Sequence, residues 1–300
     1  MSSELVSRYR IENGEKFRLL SFDPADTAGL DIEKKEAKDI LRDDVKQLSD
    51  LQERLYAEDR WSLLVIFQAM DAAGKDSAIE HVMSGVNPQG CQVHSFKAPS
   101  AHELDHDFLW RTTVALPERG RIGIFNRSYY EEVLVVRVRP EFLEGQKLPS
   151  QLVTDKIWAQ RFEDIRDFER HMTRSGTVIV KFFLHVSKEE QRKRFLDRID
   201  EPAKRWKFNM GDVAERALWG RYMEAYEDMI RSTSSADAPW HVVPADHKWF
   251  TRLVIARTLV DKLTQLNPQF PKVEGASLEE LAKARAALLA EDSPEKRKRD

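Results

Sequence analysis

Trp61-Ser62-Leu63-Leu64-Val65-Ile66-Phe67-Gln68-Ala69-Met70-Asp71-Ala72-Ala73-Gly74-Lys75-Asp76-Ser77 is the stretch that decides the fold. An apolar run, Trp61 to Phe67, reads as a strand buried on both faces, as in a parallel sheet. It empties into a loop of small residues and then Gly74-Lys75 at the start of a helix. That order is what a phosphate cradle needs. Small side chains let backbone amides close on oxygens, the helix N-terminus supplies more amides, and Lys75 adds a point charge. The stretch departs from the full G-x-x-x-x-G-K-[ST] pattern at two places, with Ala69 for the first Gly and Asp76 at the hydroxyl position. Ser77 offers a hydroxyl one residue late, and Asp71 puts a carboxylate inside the cradle, which makes sense where Mg²⁺ bridges it to phosphate.

Outward from this loop the pattern repeats. Cys91 to Lys97, Arg121 to Phe125, Thr177 to Leu184 and Trp240 to Val243 are further short apolar runs separated by helical stretches. With the first run they predict a five-stranded parallel sheet flanked by helices, an α/β fold. Before it, residues 1 to 30 show no period and read as an arm. Ile32 to Tyr56 carries Ile40, Leu41, Val45, Leu48, Leu51 and Leu55 at helical spacing. Capping boxes at Ser100/Glu103, Ser187/Glu190 and Ser277/Glu280 mark helix starts, the last opening Leu278 to Ala290. The domain is thus expected over 31–270, followed by a helix and charged tail over 271–300. Lys296-Arg297-Lys298-Arg299 in that tail resembles a localisation signal only superficially, because four acids sit among its four bases.

Composition sets the outer limits. The chain has 300 residues, with 48 Lys+Arg against 51 Asp+Glu and a formal net charge of −3. That balance argues against a polyanion-coating protein, so any anion site must be local. Cys91 alone forms no intramolecular disulfide, and Met1-Ser2-Ser3-Glu4 opens no apolar signal, so a reducing cytoplasm is the expected location. No apolar run approaches the ~20 residues that span a bilayer, and neither a membrane nor a nucleic acid is an expected partner.

Two more elements converge on the loop. Ligands of such sheets gather at the carboxyl ends of the strands, so Phe125-Asn126-Arg127-Ser128, with Glu131 and Glu132 a turn later, is expected to face it. Arg127 is placed for bidentate phosphate contact. Arg192 to Lys207 carries seven bases against three acids, a local +4, where nucleotide kinases have an arginine-bearing lid. Each also has a bland reading, as a surface ion pair and as a solvated helix face. His102-Glu103-Leu104-Asp105-His106 spells a zinc-hydrolase motif, but Glu103 already serves a capping box and no third ligand is identifiable.

Taken together, Met70 to Asp76, Val86-Asn87-Pro88-Gln89-Gly90, Asp107-Phe108-Leu109-Trp110-Arg111, Phe125 to Ser128, Lys204-Arg205-Trp206-Lys207-Phe208, and Ala238-Pro239-Trp240 to Pro244-Ala245-Asp246 with Lys248-Trp249 resemble the second family of polyphosphate kinases, over roughly residues 5 to 270. The resemblance implies a P-loop kinase fold like that of thymidylate kinase, with a helical lid at about 188–216. It implies Mg²⁺-dependent, reversible phosphoryl transfer from inorganic polyphosphate to adenine nucleotides (AMP, ADP and ATP as acceptors and products), in the subgroup accepting both AMP and ADP. By the same resemblance Asp71, Lys75, Arg127 and Glu132 are catalytic, with Asp71 and Glu132 as metal ligands. Ala72, Ala73, Gly74, Lys75, Asp76, Ser77, Arg194, Arg198, Lys204, Arg205 and Lys207 would bind polyphosphate. Asn87, Arg111, Asn126 and Arg127 would bind nucleotide. Glu132 departs from the family's Asp by one methylene. The helices at 32–56 and 278–290 are candidate subunit contacts, and a homo-oligomer is the expectation. An ATP-dependent nucleoside monophosphate kinase and a non-catalytic polyanion-binding protein are the alternatives.

Overall fold

All five apolar runs are strands of one sheet. The structure, a computed structural model, describes residues 2–291, so the Lys296 to Arg299 cluster lies outside the described residues. The strands are β1 (Arg10–Ile11), β2 (Ser62–Ala69), β3 (Cys91–Ser95), β4 (Ile122–Asn126), β5 (Thr177–His185) and β6 (Trp240–Pro244). The longer helices are α1 (Ser2–Arg8), α2 (Lys34–Glu58), α3 (Lys75–Val82), α4 (Ile157–Arg174), α5 (Lys188–Asp200), α6 (Met210–Ala217), α7 (Trp219–Thr233), α8 (Lys248–Leu266) and α9 (Ala276–Glu291).

The sheet has six strands in the order β1-β6-β5-β2-β4-β3. Five are parallel, as expected from the sequence. The sixth, β1, is a correction: it pairs antiparallel with β6, Arg10 opposite His241 and Ile11 opposite Trp240. A two-residue strand has no period to read, and the arm that carries it buries Leu5, Val6, Tyr9, Phe17 and Leu19. Residues 2–30 therefore belong to the same compact unit as the sheet, which runs through Pro268.

β2 lies at the centre between β5 and β4, and every one of its residues is buried. This is why it reads as an unbroken apolar run rather than an alternating one. α1, α2, α3 and α8 form one helical layer, while α4 packs on β5 and α7 on α4. Lys181 breaks the apolar grammar of β5. It is fully buried, and its Nζ donates to Glu169 Oε2 at 2.6 Å, to the Tyr130 hydroxyl at 2.9 Å and to the Thr233 carbonyl at 2.8 Å. Burial of an ammonium this deep is tolerable only with partners of this kind.

From Gln269 the chain forms a second unit containing α9. α9 already begins at Ala276, so Ser277 lies inside it rather than capping it. Of the other predicted caps, Ser100 and Glu103 exchange both bonds of a capping box. Ser187 receives Glu190 N–H at 3.0 Å, and its own N–H goes to Asp246 Oδ1. Among the described residues, no helix is long and apolar enough to cross a membrane.

Candidate active site

The loop Asp71–Gly74 leaves the carboxyl end of β2 and turns directly into α3. Gly74 has φ +106° and Ala72 φ +62°, both left-handed. Glycine meets this without cost at position 74, whereas Ala72 holds it as stored strain. No side chain caps the N-terminus of α3, so its first amides face the space above the loop. Lys75 lies beneath that space, buried, with Nζ donating to the Ala69 carbonyl at 3.0 Å. Burial first, then the nearby Arg127 cation, push its pKa down to about 8, against an opposing pull from Asp71, Glu131 and Asp76.

β4 delivers the second half of the site, with Phe67 opposite Asn126 in the register of the two strands. Arg127, at φ +65°, donates its N–H to the Phe67 carbonyl at 3.0 Å. Its side chain then spans the mouth of the loop, with Nη2 on Asp71 Oδ1 at 2.7 Å and Nη1 on Glu131 Oε2 at 3.4 Å. The two carboxylates, Glu131 foremost, hold the guanidinium pKa above its ordinary value. Asn126 Nδ2 donates to Asp76 Oδ1 at 2.7 Å, and Ser77 Oγ accepts from Arg252 Nη2 at 2.8 Å. Asp71, Lys75, Asp76, Asn126 and Arg127 thus meet where the sequence places them.

Several expected site residues are elsewhere. Glu132 points inward from the 3-10 turn Tyr129–Val133, where its Oε2 accepts from Arg161 Nη1 and Gln146 Nε2, both at 2.6 Å. Arg161 is itself buried between the rings of Phe108 and Trp158. Burial raises the Glu132 pKa against the pull of Arg161. Glu131, its neighbour, is the acid turned to Arg127. Adjacent residues of a 3-10 turn point about 120° apart, so the two acids reach different partners.

Arg194 is buried, and its guanidinium is spent on carbonyls and on Glu190 rather than left for a polyanion. Asn87 caps the short 3-10 turn before β3, so it lies at the amino end of that strand, away from the carboxyl ends that carry the loop. Arg111 does lie at the carboxyl end of β3, where it donates to the Lys97 carbonyl, pairs with Glu103 and covers the ring of Phe96.

The basic stretch 188–217 is helical: α5, a 3-10 turn Pro202–Lys207, then α6. Lys204, Arg205 and Lys207 are exposed there, and Arg198 faces Asp212 of α6 at 3.8 Å. Asp212 has its carboxyl pKa raised by burial and then by the charge of Asp71, and α6 is tied to the loop by Arg216, which donates to Gln191, whose amide donates to the Asp71 carbonyl. His102 and His106 are no metal pair. The helix ends at Leu104, and His106 stacks on Trp110 at 4.0 Å. Among the described residues, no group of three or more His, Cys, Asp or Glu is gathered to hold a metal ion. Mg²⁺ keeps several of its waters and takes only one or two protein carboxylates. Asp71, half-exposed at the loop, fits as such a ligand; Glu132, closed in with Arg161, does not.

The family model described as Polyphosphate kinase 2 (PPK2) matches residues 31–271. The chain belongs to the polyphosphate kinase 2 family. It is 52% identical over 285 residues to the ADP-polyphosphate phosphotransferase of Rhodopseudomonas palustris, covering 95% of this chain and 98% of that protein. It is 46% identical over 272 residues to the AMP/ADP-polyphosphate phosphotransferase of Meiothermus ruber, covering 91% and 98%. The crystal structure of polyphosphate kinase 2 from Arthrobacter aurescens TC1 superposes with a TM-score of 0.85 at 39% identity, over 96% of this chain and 97% of that one. The α/β sheet with its loop, α3 and helical stretch 188–217 is therefore the P-loop kinase fold as this polyphosphate kinase family uses it.

Glu131, expected to face the loop but given no role of its own, does so in this polyphosphate kinase 2 chain, and three residues to which the sequence reading gave no part also engage the loop and the start of α3: Gln191, Asp212 and Arg252. Glu131 had a signal, its position four after Arg127. Gln191 and Arg252 had none, because their partners are 120 and 175 residues away in sequence.

Proposed function

We propose that this chain transfers the terminal phosphoryl group of inorganic polyphosphate to AMP and to ADP, reversibly and with Mg²⁺. The observation that carries this reading is the meeting of Arg127 with Asp71 at 2.7 Å directly beside the uncapped start of α3 and the buried Lys75. Two cations, a row of amides and a carboxylate around one opening are the set that phosphoryl transfer requires, since its catalysis is positioning plus charge stabilisation.

In this mechanism the amides of the loop and of α3 seat the phosphoryl oxygens of the donor. Lys75 and Arg127 neutralise the charge spread over the transferring group. Asp71 would hold the metal, which when bound would supply charge screening of the phosphates. Asn126, tied to Asp76, and Arg111 line the acceptor side. A terminal phosphate oxygen of AMP or ADP attacks the end phosphorus, the P–O bond to the chain breaks, and polyphosphate leaves one unit shorter. Arg198, Lys204, Arg205 and Lys207 track the chain as the lid closes and excludes water. The enzyme is taken to act in the cytoplasm as a homo-oligomer, a state that light scattering on the purified protein tests.

Two relatives at high identity bear names with polyphosphate as one substrate, which supports this donor over ATP. The test is ATP formation by purified protein given Mg²⁺ and long-chain polyphosphate, with AMP alone and with ADP alone. Product from both supports the full reading, and product from ADP only removes AMP as acceptor. No product from either, with ATP-driven phosphorylation of a monophosphate present, overturns polyphosphate as donor.

A further inference from the structure

The carbonyls of the phosphate loop are held from behind, by one helix. Gln191, in the first half of α5 and 1% exposed, donates Nε2 to the Asp71 carbonyl at 2.9 Å. One turn on, Arg194 Nη1 reaches the carbonyls of Ala72 at 3.1 Å and Ala73 at 2.7 Å. Residues three apart share a helix face, so the 191/194 pair grips three successive carbonyls in one line. In a trans peptide the carbonyl and the following amide point opposite ways. Fixing these carbonyls towards α5 therefore turns amides of the same peptide units, Ala72 and Gly74 among them, away from it and into the opening. Arg194 is anchored in turn by the carbonyls of Ala245 at 2.6 Å and Asp246 at 3.0 Å beyond β6, and by Glu190 at 2.8 Å.

Gln191 differs from Arg194 in its other end. Its Oε1 accepts from Arg216 Nη1 at 2.9 Å, and Arg216 belongs to α6, where it also holds the Lys188 carbonyl at 2.7 Å. A single buried amide thus joins α6 to the loop. Donor and acceptor ends of one amide polarise together, so each bond strengthens the other.

We propose that Gln191 is a positioning residue that couples the placement of α6, through Arg216, to the orientation of the phosphate loop at Asp71. With Arg216 on Oε1, the amide is locked with its N–H aimed at the Asp71 carbonyl, and the loop presents its amides to phosphate. When α6 swings away, the amide is free to turn and the loop loses one of its three props. The consequence for catalysis rests on the phosphotransfer reading above; the coupling itself does not.

The test is a double-mutant cycle with Gln191→Met, Arg216→Met and the pair, measured for kcat and for KM of long-chain polyphosphate and of ADP. Each single change is expected to raise the polyphosphate KM about fivefold to tenfold, the scale of one lost hydrogen bond, with the ADP KM nearly unmoved. The double variant is expected to match Gln191→Met, because the arginine reaches the loop through the glutamine. Effects that multiply overturn the coupling, as does an Arg216→Met enzyme indistinguishable from wild type. Gln191→Glu, which keeps the acceptor for Arg216 and loses the donor, should behave as Gln191→Met; wild-type behaviour there argues against the prop at Asp71. Hydrogen exchange at the amides of residues 72–74, read on the same proteins without substrate, should quicken in Arg216→Met as in Gln191→Met. Unchanged exchange in Arg216→Met overturns the inference even in a preparation that makes no ATP, whereas quickened exchange there leaves it standing and places the failure with the phosphotransfer reading.

Discussion

Arg127 Nη2 and Asp71 Oδ1 meet at 2.7 Å across the mouth of the loop and so join the end of β4 to the end of β2. A cation suited to phosphate and an anion suited to metal hold each other's geometry at the point where both would act. Because Glu131 also leans on the guanidinium, Arg127 is fixed from two sides, and its left-handed backbone is strained by design of the site. Arg127→Met should lower kcat by about two to three orders of magnitude, the cost of one preorganised charge-stabilising donor. Arg127→Lys should recover little of it, since an ammonium cannot reproduce the two-sided contact. Initial rates of ATP formation, with circular dichroism to confirm folding, check both.

Lys75 gives a pH signature with two opposite signs. Its pKa in the folded chain is about 8 against 10.5 unperturbed, so between those values the unfolded chain binds the extra proton and stability at this site rises with pH. The penalty of burying the ammonium is present in full below about pH 8. Lys75→Met should therefore be more stable than wild type at pH 7, with the gap narrowing in melts at pH 9 and above. Polyphosphate affinity should run the other way, weakening in wild type as pH rises through 8 and staying weak and flat in the variant. A wild-type affinity that does not change across that range would remove Lys75 as the phosphate cation.

Glu132 is a stability residue in this geometry, paired with Arg161 at 2.6 Å under Phe108 and Trp158. Glu132→Ala leaves a buried guanidinium without its counter-charge and should cost about 3–5 kcal/mol. Glu132→Gln should be milder. In that variant the Mg²⁺ concentration for half-maximal rate should equal that of wild type, whereas a metal ligand would shift it severalfold. A magnesium titration of the two proteins decides.

Lys181 and Glu169 form a buried pair that also receives the hydroxyls of Tyr129 and Tyr130, at 2.9 and 2.7 Å. Lys181→Met should destabilise by about 3–5 kcal/mol in urea unfolding, because Glu169 is left charged in the core. Adding Glu169→Gln should restore part of that loss. If the double variant is no better than the single, the damage comes from lost packing and not from the orphaned carboxylate.

The strands, the loop and its two best residues were legible from local pattern. An unbroken apolar run followed by small residues and Gly-Lys encodes strand, turn and helix start within seventeen residues, and Gly74 at φ +106° fits the turn expected there. The five parallel strands followed from the same grammar. β1 did not, since two residues have no period and the strand exists only because β6 offers an edge. Glu131 and Glu132 were both visible as acids, and the spacing of four from Arg127 favoured Glu131, but that Glu132 is taken up by Arg161, 29 residues on, is a matter of packing that no local pattern announces.

The sequence by itself determined the order of elements and the chemistry of the cradle, because hydrophobic period, turn residues and the Asp71/Lys75 spacing are all local. It determined equally that bases gather between residues 192 and 207. Only the tertiary structure decided what those bases do. Charge counts treat Arg194 and Lys204 alike, yet one is buried with its donors on backbone carbonyls of the loop and the other stands in solvent. The difference arises because desolvation and hydrogen-bond partners are properties of packing between distant segments, and Arg194 and the loop it braces are more than a hundred residues apart.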